Sequence, residues 1–477
     1  MINEAELVRN LGELALPHDT EKAISAYARA AELDPDDIWS RILLGRLHSR
    51  AGDLRSAERA CRAAIAIARR AGSKLKEGAA YEVLGDVQGA RGYLDGALKA
   101  YQDSLAIAEK LAAQDPSDAD WQRAVSVSFN KIGDVQRAQG DLNGALKAYR
   151  DSLAIAEKLA AQDPSDADWQ RAVSVSFNKI GDVQRARGNL DDALKAYQDS
   201  LAIREKLAAQ APNSAELQHL SVSFERIGDV QSARGNLGGT LKADQDSLAI
   251  AEKLAAQDPG NAEWQRDLSV SLNKIGDVQS ARDNLDGALE AYQGGLAIAE
   301  KLAAQDPGNA GWQRDLSVSF DRIGDVQSAR GNLNAALQVY RESLAIREKL
   351  AAQDRSNSEW QRDLSVSFER IGDVQSVRGD LNGALKAYQD GLAIREKLAA
   401  QDPTNAGWQR DLIVSHWKLA EVAEQQEVQL PKAERHYRTA LEVTLALRDG
   451  GRLAPADGWM IGDLQTRLER VSTHAAR

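Results

Sequence analysis

The chain has 477 residues, of which 27% are charged and 43% hydrophobic, a globular composition that excludes bulk disorder. Its 60 basic and 71 acidic side chains leave a formal charge of −11, which argues against nucleic-acid binding, since that affinity comes from Lys and Arg neutralising phosphates. A single cysteine, Cys61, excludes an intrachain disulfide, and no run approaches 18 apolar residues, so no membrane span or membrane partner is expected. The N-terminal stretch carries acids and lacks the basic-then-apolar order of a signal peptide, which points to a cytoplasmic protein.

The string IGDVQ, or LGDVQ in its first copy, occurs seven times, with glycines at Gly85, Gly133, Gly181, Gly228, Gly276, Gly324 and Gly372. The interval is 48 residues except between Gly181 and Gly228, where it is 47, and an altered eighth copy falls at Ala420. Self-similarity at this period signals one repetitive array rather than separate domains. Within one copy, Trp121, Val125, Phe129, Ile132 and Val135 recur at steps of three and four, the stripe of a helix over Ala119 to Gln139. Gly140 suits the left-handed residue that ends a helix, and Asp141 can cap the next. That second helix carries Leu142, Ala145, Leu146, Tyr149, Leu153, Ala156 and Leu159 at helical spacing. Asp115-Pro116 stops the helix before it, and Ser117 with Asp120 reads as a capping box. Neither helix buries its stripe alone, so pairs must stack, with Trp121 and its equivalents Trp169, Trp264, Trp312, Trp360 and Trp408 packing on the preceding pair.

Phe129, Ile132-Gly133, Ala145, Tyr149 and Ser152 match the offsets of the tetratricopeptide repeat, which this chain resembles. Ala23, Tyr27, Ala30 and Pro35 resemble one repeat of the short form, and Leu44-Gly45, Ala57, Cys61 and Ala64 the next. The middle repeats are longer, similar to those of kinesin light chains and Pins-type adaptors. The resemblance implies an all-α fold, an α-solenoid of ten stacked helix-turn-helix repeats forming a superhelix. Two short repeats would occupy 1–72, eight long ones 73–450, and a capping helix and tail 451–477. It also implies a non-enzymatic scaffold that takes a protein or peptide on its concave face. A regulatory or sensor subunit controlling a separate bacterial effector is the alternative, and self-association is compatible with either.

The family's groove-facing offsets map onto Asn130, Asp134 and Arg137 in one repeat and Asn178, Asp182 and Arg185 in the next. The middle offset is aspartate throughout, at Asp86, Asp134, Asp182, Asp229, Asp277, Asp325 and Asp373. Such a ladder of carboxylates can attract a basic or amide-rich segment. The competing reading is pairing within one helix, Lys131 with Asp134 or Asp134 with Arg137. Arg187, Arg234, Arg282, Arg330 and Arg378 form a second row, which suits the C-termini of the first helices or, alternatively, contact with an acidic partner. In the sixth repeat Leu217, Thr240 and Asp244 replace the tryptophan, the small alanine and the aromatic, which suggests either a hinge or drift over Ala215 to Leu254. Asp244 must there reach water or force a change in packing. No catalytic constellation, zinc spacing or phosphate loop occurs, so no cofactor or metal is expected. His416 and His436 lie on the two helices of one repeat and read as a chance pair, and Cys61 reads as core.

Overall fold

The computed structural model describes residues 4–15, 19–426 and 429–475. Among them are 21 α-helices and no strand. Four short helices come first: α1 (Glu4–Ala15), α2 (Thr20–Leu33), α3 (Ile38–Arg50) and α4 (Leu54–Arg70). The long repeats follow as α5 (Lys74–Ala90), α6 (Leu94–Gln114), α7 (Ala119–Ala138), α8 (Leu142–Gln162), α9 (Ala167–Ala186), α10 (Leu190–Gln210), α11 (Ser214–Ala233) and α12 (Leu237–Gln257). They continue as α13 (Ala262–Ala281), α14 (Leu285–Gln305), α15 (Ala310–Ala329), α16 (Leu333–Gln353), α17 (Ser358–Val377), α18 (Leu381–Gln401), α19 (Ala406–Glu424) and α20 (Leu430–Asp449), before a last helix α21 (Trp459–Ala475). Each helix packs chiefly on its neighbours in sequence, as the solenoid reading requires. The chain divides into two halves, Met1–Ala243 and Asp244–Arg477.

The punctuation between helices is local chemistry. Gly140 holds φ at +82°, and Asp141 accepts the amide of Gly144 at 2.9 Å, so the turn inside the repeat forms as its sequence predicts. The turn between repeats differs by one residue from the capping box expected at Ser117. Asp118 is the N-cap of α7, accepting the amides of Asp120 and Trp121, while the Ser117 hydroxyl donates to Asp115 at 2.6 Å. A carboxylate one position later reaches two orphan amides, and the serine instead closes the turn that follows α6.

The glycine of IGDVQ exists for the tyrosine of the second helix. A Cβ added to Gly133 would lie 2.5 Å from Cε1 of Tyr149, and Gly85, Gly181 and Gly372 stand equally close to Tyr101, Tyr197 and Tyr388. In the second repeat Cys61 fills this place, its Sγ 2.6 Å from a Cβ built on Gly45. Its side chain is fully buried, and burial pushes the thiol up to about 12, so Cys61 is inert core.

Trp121 is half-buried and packs on Ala108 and Ala112 of α6, in the preceding repeat, and Trp169 does the same with Ala156 and Ala160 of α8. In the sixth repeat Asp244 is buried and engaged with other groups, so it does not reach water. The division between the two halves falls inside α12, between Ala243 and Asp244. At the C-terminal end Met460, Leu464 and Val471 of α21 join the cluster of Ile413, Ala420 and Tyr437, while Gln465, Thr466, Glu469 and Arg470 face solvent. No helix among the described residues is long and apolar enough to cross a membrane.

Candidate interaction face

The aspartate ladder is built into the stack. Oδ1 of Asp134 accepts the hydroxyl of Tyr149, from the second helix of its own repeat, at 2.7 Å. The same oxygen accepts Nζ of Lys179, from the first helix of the following repeat, at 2.6 Å. Asp86 is held likewise by Tyr101 and Lys131, both at 2.6 Å, and Asp182 by Tyr197 at 2.7 Å and by Arg226. In the C-terminal half Asp277 takes Tyr292 at 2.7 Å and Arg322 at 2.8 Å, Asp325 takes Tyr340 at 2.6 Å and Arg370, and Asp373 takes Tyr388 at 2.5 Å and Lys418 at 2.8 Å. Burial, and then the hydrogen bond to aspartate, pushes the phenols of Tyr101, Tyr149 and Tyr292 upward, so each remains a donor. Five of the six cations, Lys131, Lys179, Arg226, Arg322 and Arg370, also lie over the tyrosine ring of the clamp, as Lys179 does at 5.4 Å from the Tyr149 centroid.

The pairing within one helix is therefore corrected: Lys131 serves Asp86 of the preceding repeat rather than Asp134. The remaining positions read from the sequence are placed as follows. Asp229, whose repeat carries Asp244 where others carry tyrosine, pairs with Arg185 at 3.2 Å. Arg137 is exposed. Asn130 and Asn178 are half-buried, and their side-chain carbonyls accept no hydrogen bond from the chain. Arg234 and Arg330 stand at the C-caps of α11 and α15 and reach back to Asp191, at 2.7 Å, and to Asp286. The glutamine of IGDVQ ties down the turn, as Gln327 does in accepting from Asn332 at 2.9 Å.

Two further features escaped the sequence reading. The first is a set of buried arginines. Arg347 ion-pairs with Asp321 at 2.7 Å and donates to Ser317, to Ser367 and to the carbonyl of Asp363. Arg395 repeats this with Glu369, Ser365, Ser415 and the carbonyl of Asp411, and Arg204 bonds Ser174 at 2.6 Å. The fourth repeat has Ala156 at this position, and there Ser126 and Ser152 bond one another directly at 2.8 Å. The signal lay in LAIREKL alternating with LAIAEKL along an otherwise apolar stripe. The second feature is a row of exposed valines. Val127, Val175, Val222 and Val270 are 36–44% exposed on the first helices, at the centre of a Ser-Val-Ser triplet whose serines in three of these four repeats are both buried. Val318 and Val366 continue this series along a cleft of about 500 Å³ in the C-terminal half, which Asp277, Asp325, Arg322 and Arg370 also line.

His416 and His436 do touch, Nδ1 to Nδ1 at 2.9 Å, so one ring donates to the other. Burial, and then the neighbouring imidazole, lowers His416 to about 4. Among the described residues no group of three or more His, Cys, Asp or Glu side chains is arranged to hold a metal.

Two tetratricopeptide repeat family models match the chain, one over residues 14–77 and the other over residues 173–209 and 319–354. No curated protein sequence matches. Among solved structures, the apo form of RapI aligns with a TM-score of 0.50 at 14% identity, over 83% of this chain and 99% of that one. BtubC (BKLC) from P. vanneervenii aligns with a TM-score of 0.42 at 18% identity, over 54% of this chain and 92% of that one. A MamA protein aligns with a TM-score of 0.32 at 20% identity, over 43% and 94%. With family matches in both halves, and helix pair after helix pair closed by an aromatic ring on a glycine, this chain carries tetratricopeptide repeats.

Proposed function

We propose that the protein is a non-enzymatic cytoplasmic scaffold that binds a protein or peptide along the face of its first helices, the concave face of such arrays. The observation that carries this reading is the exposed valine row. An apolar side chain left in water at the same place in successive repeats, beside a row of charged residues, offers an extended chain both apolar contact and polar register. The aspartates contribute as well as hold the stack, because the carboxylates of Asp86, Asp134 and Asp373 remain roughly two-fifths exposed inside their clamps. A net charge of −11 favours a basic or neutral protein over nucleic acid.

The test compares the immobilised parent chain with a Val127→Asp/Val175→Asp variant in pull-downs at low and at high salt. Proteins retained by the parent and lost by the variant support the proposal. Retention of the same proteins by both, or retention of none by the parent even at low salt, refutes it.

A further inference from the structure

The two terminal helices of the described chain treat water differently. The last, α21, turns Met460, Leu464 and Val471 inward and, apart from Trp459 at its first residue, which meets Trp417 edge-on at 5.5 Å, shows solvent a polar face. The first, α1, buries Ala5 and Gly12, the latter so close that an added Cβ would meet the ring of Tyr27 at 2.9 Å. Its opposite face carries Leu7, Leu11 and Leu14, which are 53%, 55% and 74% exposed. Steps of four and three place all three on one stripe. Inside the array such a stripe is covered by the preceding repeat, as Trp121 of α7 is by α6.

The charges around the stripe select what can cover it. Glu6 and Glu13 are exposed along one side, while Glu4, exposed on the other, already has Arg29 of α2 at 3.7 Å, so the acidic rim is the Glu6 and Glu13 side. The one cation of the helix, Arg9, is turned away and donates to Asp37 at 2.8 Å, so it does not neutralise this rim. A second copy of α1 laid on the first would bring its own glutamates against these, and like charges across an interface are rejected. We propose that α1 docks a basic amphipathic helix of a partner protein, whose apolar side chains pack against Leu7, Leu11 and Leu14 while its Lys or Arg residues meet Glu6 and Glu13. This site is separate from the first-helix face discussed above.

The experiment titrates the full chain into a fluorescein-labelled 18-residue peptide of leucine and lysine patterned as an amphipathic helix, with a leucine–glutamate peptide of the same pattern alongside. The leucine–lysine peptide binds saturably, and the leucine–glutamate peptide binds at least about tenfold more weakly. Leu7→Ser/Leu11→Ser/Leu14→Ser weakens binding by about tenfold or more while the circular dichroism spectrum stays close to that of the parent, because half or more of each side chain already lies in water. Glu6→Gln/Glu13→Gln weakens it by about threefold, and by less in high salt. The Val127→Asp/Val175→Asp variant binds the peptide like the parent, so this proposal and the preceding one fail independently. Absence of binding overturns the proposal. So does equal binding by the triple-serine variant, which would mean attraction to the overall negative charge, or a concentration-dependent dimer of the parent that the triple-serine variant abolishes, which would make the occupant a second copy.

Discussion

Gly133→Ala tests whether the tyrosine ring truly rests on the backbone of its partner helix. The new Cβ would stand 2.5, 2.8 and 2.9 Å from Cε1, Cδ1 and Cζ of Tyr149, whereas carbon atoms settle at about 3.5–4.0 Å. The ring must therefore retreat by about 1 Å. It has nowhere to go, since Tyr149 is 1% exposed, and its hydroxyl is tied to Asp134, which also holds Lys179 of the next repeat. Overpacking costs about 1–3 kcal/mol, and loss of a hydrogen bond to a charged acceptor costs about 1.5–3 kcal/mol where the bond breaks. Against this, alanine gains about 1 kcal/mol over glycine inside a helix. The net expectation is a loss of about 1–4 kcal/mol, concentrated in α7, α8 and α9. A matched control is Gly462→Ala in α21, where nothing lies within 4 Å of the added carbon. That change should stabilise by about 0.5–1 kcal/mol. Because repeat arrays open locally, the assay is native-state hydrogen exchange read helix by helix, alongside urea unfolding. In a Tyr149→Ser background the penalty of Gly133→Ala should vanish or reverse, which closes a double-mutant cycle. A Gly133→Ala protein as protected as the parent would refute the contact and the assembly scheme built on it.

Three other outcomes are expected. Arg347→Ala should cost about 1.5–3 kcal/mol, measured by urea unfolding, because the buried carboxylate of Asp321 loses the nearer of its two arginines and keeps only Arg370 at 3.7 Å. Adding Asp321→Asn should recover most of the loss, because it recreates the Asn130 and Ala156 combination of the fourth repeat. The His416 and His436 contact should make stability depend on pH. The folded His416 binds its proton near pH 4 and the unfolded one near 6.5, so its contribution is complete above about pH 6.5 and is lost as pH falls toward 4. The difference in unfolding free energy between parent and His416→Asn should shrink by up to about 3 kcal/mol across that window, and a difference that stays flat contradicts a buried neutral pair. Trp312→Ala, at a half-buried site, should lower the melting temperature by an amount equivalent to about 2 kcal/mol with little change in helix content, checked by circular dichroism.

The helices, the repeat and the turn chemistry at Gly140 and Asp141 were legible in the sequence because each depends on residues within a few positions of one another. The clamps were not, for a specific reason. Lys131 has one aspartate three residues away, in its own helix, and another 45 residues back, and a strict repeat supplies both candidates in nearly every copy. Only the stacking of one pair on the next decides between them. Ser-Val-Ser went unread for a different reason. Hydropathy places valine inside and serine outside, yet Ser126 and Ser128 are buried and Val127 is not. Serine is small enough for helices to approach closely, and its hydroxyl is satisfied across the gap by Ser152.

The uniformity of IGDVQ follows from those contacts. In six of the seven copies, all but that of Gly228, the motif is spent on the chain itself: Ile and Val on the core, Gly on a tyrosine ring, Asp on a tyrosine hydroxyl and a cation from the next repeat, Gln on the turn. Each repeat meets a neighbour of the same kind, so an assembly motif must recur unchanged, whereas residues that contact a partner have no such obligation. Specificity should therefore be sought where the first helices differ among themselves while still meeting solvent. The position three after the ladder aspartate is such a place: Arg137 and Arg185 in two N-terminal repeats, but Ser232, Ser280, Ser328 and Ser376 afterwards. Arg137 is exposed, whereas Arg185 also pairs with Asp229 of the next repeat, so Arg137→Ser alone should change which partners a pull-down captures while leaving hydrogen-exchange protection of the stack as in the parent.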